Sequence, residues 1–138
     1  MIAKLSAIAI WLVDVLAVDL GQSGSRIRTA EKLIDSTRGK LAGEPPLSSL
    51  RAVFDGIEKL SAHTVALSCT GFRGIVTDPQ PFLALCNELF GATNVAVIDD
   101  GLAGYIGALG GANGVVLSIG GGLSALVEKI LILHIVTD

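Results

Sequence analysis

Residues 13–30, VDVLAVDLGQSGSRIRTA, contain two strand patterns on either side of a polar turn. Residues 13–19 are apolar and β-prone, and a stretch rich in glycine and serine follows them. Residues 26–30 can return as the second strand of a hairpin. We therefore expect a β-hairpin here, with its first strand buried.

The turn of this hairpin is a candidate phosphate and metal site. An acidic residue at the end of a buried strand can hold Mg²⁺ through water, because Mg²⁺ keeps several of its waters. Backbone N–H groups and hydroxyls in such a turn point inward, where they can bind phosphate oxygens. An ordinary hairpin turn without a ligand explains the same residues. The candidates are Asp19 for the metal and, for phosphate, Gly21, Gln22, Ser23, Gly24, Ser25 and Arg26.

Downstream of the hairpin, helix and strand patterns alternate. The expected strands are residues 63–69, 94–98 and 115–119. The expected helices begin at Ser48 or Ser49, at Asp78-Pro79, at Gly101 and at Leu123, the last of them running to Val136. This alternation predicts an α/β fold with a mixed sheet covered by helices.

Two adjacent carboxylates, Asp99 and Asp100, follow the buried strand 94–98. This is the end of a strand at which α/β sheets place ligands. The N-terminus of the next helix stabilises negative charge there. One carboxylate can therefore cap the helix while the other acts as a general base. A double cap with no chemistry is the alternative.

A bare glycine turn, Gly120, Gly121 and Gly122, follows the strand 115–119. Only glycine lets a backbone approach a phosphate this closely. The same turn with Ala125 also fits the dinucleotide fingerprint G-x-G-x-x-[GA]. That fingerprint needs an acidic residue about 20 positions further on and a second strand, and the sequence contains neither.

The composition excludes several classes of function. Of the 138 residues, 51% are hydrophobic and 17% are charged, which is not the composition of a disordered tail. Aromatic residues make up only 4%, the net charge is −3, and no basic run is present, so we expect no nucleic-acid partner. No Walker A loop or G-x-S-x-G elbow occurs.

The N-terminal segment has the rough shape of a signal peptide over residues 5–13. Asp14 interrupts the run, no A-x-A cleavage site follows it, and it is shorter than the ~20 residues of a membrane span. We expect residues 1–13 to be an apolar extension or a buried strand, and we expect no membrane partner. Cys69 and Cys86 form no CxxC motif and no disulfide framework, so a cytoplasmic location is expected.

The three motifs, in this order, resemble those of the actin-like ATPase superfamily, which includes sugar kinases, Hsp70 chaperones and actin. The chain is most similar to the N-acetylglucosamine kinases and benzoyl-CoA-reductase-activating ATPases. Their first phosphate motif, approximately D-G-G-G-T-x-T/S, is similar to residues 19–25. Residues 97–101 are similar to their V-x-N-D-A motif, and residues 119–123 to their second phosphate motif, G-T-G-S. Residues 67–71 resemble the family's strand ending in Ser/Thr-Gly beside the sugar pocket.

The resemblance implies a ribonuclease H-like (actin-like ATPase) domain, with a mixed central sheet and flanking helices. It implies ATP and Mg²⁺ as cofactors, and phosphoryl transfer to a hydroxyl of a small sugar, first of all an amino sugar such as N-acetylglucosamine. Asp100 would be the catalytic base, and Asp19 would position Mg²⁺. Asp99, Thr70 and Gly71 would contact the sugar.

Two departures from the family pattern affect this expectation. Gly121 and Leu123 stand where the second phosphate motif has Thr and Ser, which removes two hydroxyls. The family also continues into a second domain that carries the adenosine pocket. We therefore expect a first domain over residues 14–110, the start of a truncated second domain over 111–138, and no kinase activity of this chain alone.

Two other classes of function remain as alternatives. One is a non-catalytic nucleotide-binding or scaffolding remnant of the fold, and the other is a dinucleotide-binding domain. We also expect a homo-oligomer, because the strand 115–119 and the apolar stripe after it lack the partners that a second domain would supply.

Overall fold

The computed structural model describes residues 11–36, 38–72, 76, 78–110, 112–119, 123–128 and 134–137. Its strands are β1 (Trp11–Leu20), β2 (Ser25–Arg28), β3 (Leu33–Ser36), β4 (Leu60–Cys69), β5 (Asn94–Asp99), β6 (Gly114–Ile119), β7 (Leu123–Glu128) and β8 (His134–Thr137). Its helices are α1 (Pro46–Phe54), α2 (Gln80–Phe90) and α3 (Asp100–Leu109).

Six of the strands form one mixed sheet in the order β3-β2-β1-β4-β5-β8. The three central strands β1, β4 and β5 are parallel, while β2 and β8 run antiparallel to their neighbours β1 and β5. β3 runs antiparallel to β2. β6 and β7 form a separate antiparallel pair. The expected α/β class with a mixed sheet and flanking helices is confirmed.

The core lies between one face of the parallel strands and the helices α1 and α2. Side chains along these strands alternate between the two faces of the sheet. Those that face the helices are buried, whereas their neighbours along the strand are more exposed, as in β4. Phe54 of α1 and Phe90 of α2 meet edge to face, with ring centroids 4.9 Å apart. The buried cluster includes Leu16, Val18, Leu20, Leu50, Val65, Leu67, Leu85, Val95 and Val97.

The opposite face of the parallel strands carries small side chains. Ala17, Ala66 and Ala96 are direct neighbours across β1, β4 and β5. Together with Ala103 of α3 they line a groove of about 520 Å³. This face is therefore shallow and open along the described part of the chain.

The predicted hairpin is present, and the antiparallel pairing places Leu20 opposite Ser25. The short strand β3, LIDS, was not predicted. Helix α1 begins at Pro46, two residues before the predicted cap, because proline at the first helical position has a suitable fixed φ. It ends at Phe54. Leu60, which continues the helical spacing of Leu50, Val53 and Phe54 in the sequence, begins β4 instead.

The prediction of a helix over residues 123–136 is wrong. The described part of this segment forms β7 and β8. β7 pairs with β6, and β8 pairs with β5 over residues 94–97. A short apolar run fits a helix and a buried strand almost equally well, and here pairing with distant strands decides between them.

Among the described residues, no helix combines the length and the apolar character needed to cross a membrane. Residues 1–10 of the predicted N-terminal extension lie outside the described residues.

Candidate functional site

Candidate residues at the ends of β1, β4 and β5 lie at one edge of the sheet, where these parallel strands end. Asp19 of β1 is paired with Ser68 of β4, and Cys69 of β4 is paired with Asp99 of β5. Two strand spacings, about 10 Å, therefore separate the backbones of the two aspartates. Sheets of this kind bind ligands in the crevice outside the carboxyl ends of their strands.

Asp19 is half-buried at this edge and is held by a neighbour that the sequence did not single out. The hydroxyl of Ser68 donates a 2.9 Å hydrogen bond to Oδ1 of Asp19. Its second oxygen, Oδ2, accepts no hydrogen bond from any residue in the described part of the chain. Ser68 thus fixes the carboxylate and leaves one oxygen available to a ligand.

The turn at residues 21–24, hereafter the first turn, is closed on itself. Gly21 N donates to Gly24 O at 3.0 Å, and the side chains of Gln22 and Ser23 are exposed. The turn lines a cavity of about 340 Å³ together with Asp19 and Asp35. The first turn therefore borders open space at the sheet edge.

Ser25 and Arg26 differ from the rest of the predicted phosphate site. Ser25 is buried, and its hydroxyl donates to the carbonyl of Arg38 at 2.8 Å. Its only hydroxyl proton is therefore committed within the fold. Arg26 lies across from Asp19 on β2, 3.9 Å from Asp35, and both members of this ion pair are 73% exposed. Such an exposed pair contributes little to stability.

The loop 38–44 packs directly against the first turn, and no sequence pattern predicts this contact. Lys40 N donates to Gly21 O at 2.8 Å. A Cβ added to Gly39 would lie 2.5 Å from Gln22 O, 2.7 Å from Gly21 O and 2.7 Å from Gly24 N. Position 39 therefore requires glycine, because two backbones approach each other closely there.

A polar brace holds this loop in place. Arg38 Nη2 lies 2.7 Å from Glu44 Oε1, and the hydroxyl of Ser49 donates to Glu44 Oε2 at 2.6 Å. The Ser49 hydrogen bond is the main cause that lowers the pKa of Glu44, and the Leu41 amide and Arg38 add to it. Glu44 thus links α1 to the loop that supports the first turn.

The two adjacent aspartates divide their roles. Asp99 is the N-cap of α3, and its Oδ1 accepts from Gly101 N at 3.0 Å. Asp100 is the first residue of α3, and its Oδ1 accepts from the same amide at 2.9 Å. Asp100 is exposed whereas Asp99 is half-buried. The capping role predicted for one of the two carboxylates therefore belongs to Asp99.

Thr70 and Gly71 complete the edge at the end of β4. Thr70 is buried, and its amide donates to Leu20 O at 3.0 Å. Gly71 has a φ of +99°, a conformation that other residues rarely adopt. The side chain of Lys40 lies over Gly71, because a Cβ added there would be 3.0 Å from Lys40 Cε.

The carboxylates at this edge affect the pKa of the buried Cys69 thiol. Burial is the main cause that raises the pKa of Cys69 to about 12, and the charges of Asp19, Asp100 and Asp99 raise it further. Asp19 and Asp99 flank the end of β4, through the pairing of β1 and β5 with that strand. The same shift keeps Cys69 protonated, so it is not a candidate nucleophile.

The second glycine turn, Gly120, Gly121 and Gly122, lies outside the described residues. The strands on either side of it, β6 and β7, are antiparallel and pair Ile119 with Leu123. The dinucleotide fingerprint requires a helix after its glycines, and Ala125 here lies in a strand. The interpretation of this segment as a dinucleotide-binding motif is therefore wrong.

The donors at this edge bear on the predicted Mg²⁺. Among the described residues, no three His, Cys, Asp or Glu side chains are grouped to hold a metal ion. Mg²⁺ is commonly bound by one or two carboxylates together with waters and phosphate oxygens. The free oxygen of Asp19 beside the first turn fits that mode of binding.

No protein-family model, curated protein or solved structure matches this chain.

Proposed function

We propose that this chain is the first domain of an ATP-dependent sugar-kinase-like protein of the actin-like ATPase superfamily. The observation that carries the proposal is the strand register at the sheet edge, with Asp19 beside Ser68 and Asp99 beside Cys69. Asp19, at the end of β1, and Asp99, at the end of β5, therefore lie at the same edge of the sheet, close in sequence to the first turn and to Asp100. The proposed setting is the cytoplasm.

The topology supports a ribonuclease H-like fold for this domain. An antiparallel unit, β3-β2-β1, continues into the parallel strands β4 and β5. A helix follows each of β3, β4 and β5 in the chain. A mixed sheet with flanking helices is the architecture that the family resemblance implies.

The proposed roles follow from the positions of the side chains. Asp19 would hold Mg²⁺ through water, and the ion would neutralise charge on the transferred phosphate. The first turn would bind phosphate oxygens through its amides. Asp100, which is exposed and leaves the N-cap position of α3 to Asp99, would take the proton of the sugar hydroxyl, a role worth ~10²–10⁴-fold in rate. Thr70 and Gly71 would adjoin the sugar.

Binding of Mg-ATP tests this proposal, because this domain would hold the metal and the phosphates, although the family resemblance implies that the adenosine pocket belongs to a second domain. We expect Asp19→Asn to weaken binding of Mg-ATP and to leave binding of metal-free ATP much less affected, because Asp19 acts through the metal. The measurement is isothermal titration calorimetry with and without Mg²⁺.

Asp55→Asn is the matched control, because Asp55 is an exposed carboxylate at the C-cap of α1. Equal loss of affinity in the two variants would argue against a specific metal role for Asp19. If the unmodified chain binds no Mg-ATP, the proposed function is wrong.

A second candidate is a nucleotide-binding module without catalysis. The hydrogen bond from the Ser25 hydroxyl to Arg38 O favours this module, because that hydroxyl is then not available as one of the predicted donors to phosphate. This module would bind Mg-ATP and would leave an added amino sugar unphosphorylated, even when a second domain is supplied.

A further inference from the structure

The candidate site has an imbalance of charge that points to an additional residue. Asp19 and Asp99 flank the end of β4, and Asp100 directly follows Asp99. A nucleotide adds several negative charges to the same crevice. Like charges disfavour one another, so a protein cation besides Mg²⁺ would favour the binding of a nucleotide there.

Lys40 is a cation in a suitable position, in addition to Arg26 of the predicted phosphate site. Its ammonium lies over the end of β4, because a Cβ added to Gly71 would be 3.4 Å from Lys40 Nζ. Its own amide contacts the first turn through the 2.8 Å hydrogen bond to Gly21 O. Lys40 therefore connects the first turn to the residues at the end of β4.

The ammonium of Lys40 is available to a ligand. Its one hydrogen bond among the described residues is a long contact of 3.4 Å to the carbonyl of Leu41. No described carboxylate lies within ion-pair distance of it, whereas Lys32 pairs with Glu58. Lys40 is half-buried, so its side chain lies along the protein surface at this edge.

The backbone of Lys40 is fixed although it lies in a loop. Gly39 lies against the backbone of the first turn. Glu44 bonds Arg38 within the loop and Ser49 in α1. Such support gives a ligand-binding side chain a fixed starting point and reduces the entropy lost on binding.

We propose that Lys40 is a phosphate-binding residue of this site, and that its ammonium contacts the polyphosphate of a nucleotide held by the first turn. This inference rests on the proposed function. Lysine suits the task, because it acts as a point charge with three donors that adapt to phosphate oxygens.

The test compares Lys40→Met with Lys59→Met, which removes the same charge from an exposed lysine just before β4, at the opposite edge of the sheet. The probes are Mg-ATP and inorganic tripolyphosphate, titrated calorimetrically into the full chain. We expect Lys40→Met to weaken both by at least about tenfold, as expected for loss of a charged hydrogen bond. Lys59→Met should bind both probes normally, and Lys40→Arg should recover part of the loss.

A second measurement uses the unmodified chain and so does not depend on how the variants fold. Acetylation of each lysine is followed by mass spectrometry with and without tripolyphosphate. We expect the probe to slow acetylation of Lys40 several-fold and to leave Lys59 unaffected. Equal rates at Lys40 with saturating probe would overturn the proposal.

The possible outcomes separate this inference from the proposed function. If Mg-ATP binds and Lys40→Met binds it normally, the role of Lys40 is overturned and the proposed function stands. If tripolyphosphate binds through Lys40 but Mg-ATP does not bind, the anion site stands and the nucleotide function is wrong. If neither probe binds the unmodified chain, both proposals are wrong.

Discussion

The hairpins β1–β2 and β6–β7 both join antiparallel strands through glycine-rich segments, but their surroundings differ. β1–β2 lies within the six-stranded sheet, and Leu20 and Ile27 are almost fully buried. β6–β7 forms a two-stranded sheet that contacts α3, and Val115 is 64% exposed. The first hairpin is held by neighbours on its strands and at its turn, whereas among the described elements the second hairpin packs mainly against α3.

This difference is also visible at the glycines that touch each hairpin. At Gly39 an added Cβ would meet backbone atoms of the first turn within 2.7 Å. At Gly114 an added Cβ would meet Leu109 Cδ1 at 2.6 Å, the end of a flexible side chain. Gly39 is therefore held against backbone, whereas Gly114 lies against a side chain that can move.

The largest expected effect is on the reactivity of the thiols of Cys69 and Cys86. Their labelling indicates whether the six-stranded sheet, which contains β1–β2, has opened. Burial raises the pKa of Cys69 and of Cys86 from 9.0 to about 12. At pH 8 the folded chain should therefore react with a thiol reagent about 10³-fold more slowly than the unfolded chain, because only the thiolate attacks. Labelling followed by mass spectrometry, with and without denaturant, measures this.

The same shifts predict how stability depends on pH. In the unfolded chain the thiols ionise near pH 9, and in the folded chain only near pH 12. The free energy of unfolding should keep this contribution below pH 9 and lose it progressively as the pH rises from 9 to 12. Rapid labelling of Cys69 without denaturant at pH 8 would show that the six-stranded sheet opens as easily as the second hairpin.

The second prediction compares Gly39→Ala with Gly114→Ala. We expect Gly39→Ala to lower the free energy of unfolding by about 1–3 kcal/mol, because the first turn and the loop 38–44 must separate. Gly114→Ala should change it by less than about 1 kcal/mol, because Leu109 can adopt another rotamer. Urea denaturation of both variants measures the difference. Equal values would mean that the two hairpins are held in the same way.

Much of the six-stranded sheet could be predicted from local sequence. β1, β4 and β5 are strongly apolar and end at polar residues, so their strands and their common edge follow from pattern and from the chain order of parallel strands. The helix cap was likewise predictable, because aspartate directly before a helix is a common N-cap, and Asp99 fills that position.

What could not be predicted depends on contacts between distant segments. Nothing local indicates that Gly39 and Lys40 lie against the first turn, because this contact joins residues almost 20 positions apart and has no period. β3 was missed because it has only four residues, one of them Asp35. Leu123, Leu126 and Val127 fit a helical stripe, but pairing of β7 with β6 decides their conformation.

The smallest expected effect concerns the outer edges of the second hairpin. A two-stranded ribbon is marginally stable alone, and in the described part of the chain no third strand pairs with β6 or β7. Open edges expose backbone donors and acceptors that a second copy can pair with. We therefore expect the chain to self-associate weakly through this hairpin, with an apparent mass that rises with concentration in static light scattering.

Val115→Lys should reduce this association, because a charge on an exposed position of β6 disfavours strand pairing between copies. Leu33→Lys is the matched control. Leu33 is 59% exposed on β3, the edge strand of the six-stranded sheet, where Asp35 already supplies a charge. We expect Leu33→Lys to associate like the unmodified chain and Val115→Lys to remain closer to a monomer. If the unmodified chain is monomeric at all concentrations, or if both variants lower association equally, the second hairpin is not the weaker region that the comparison implies.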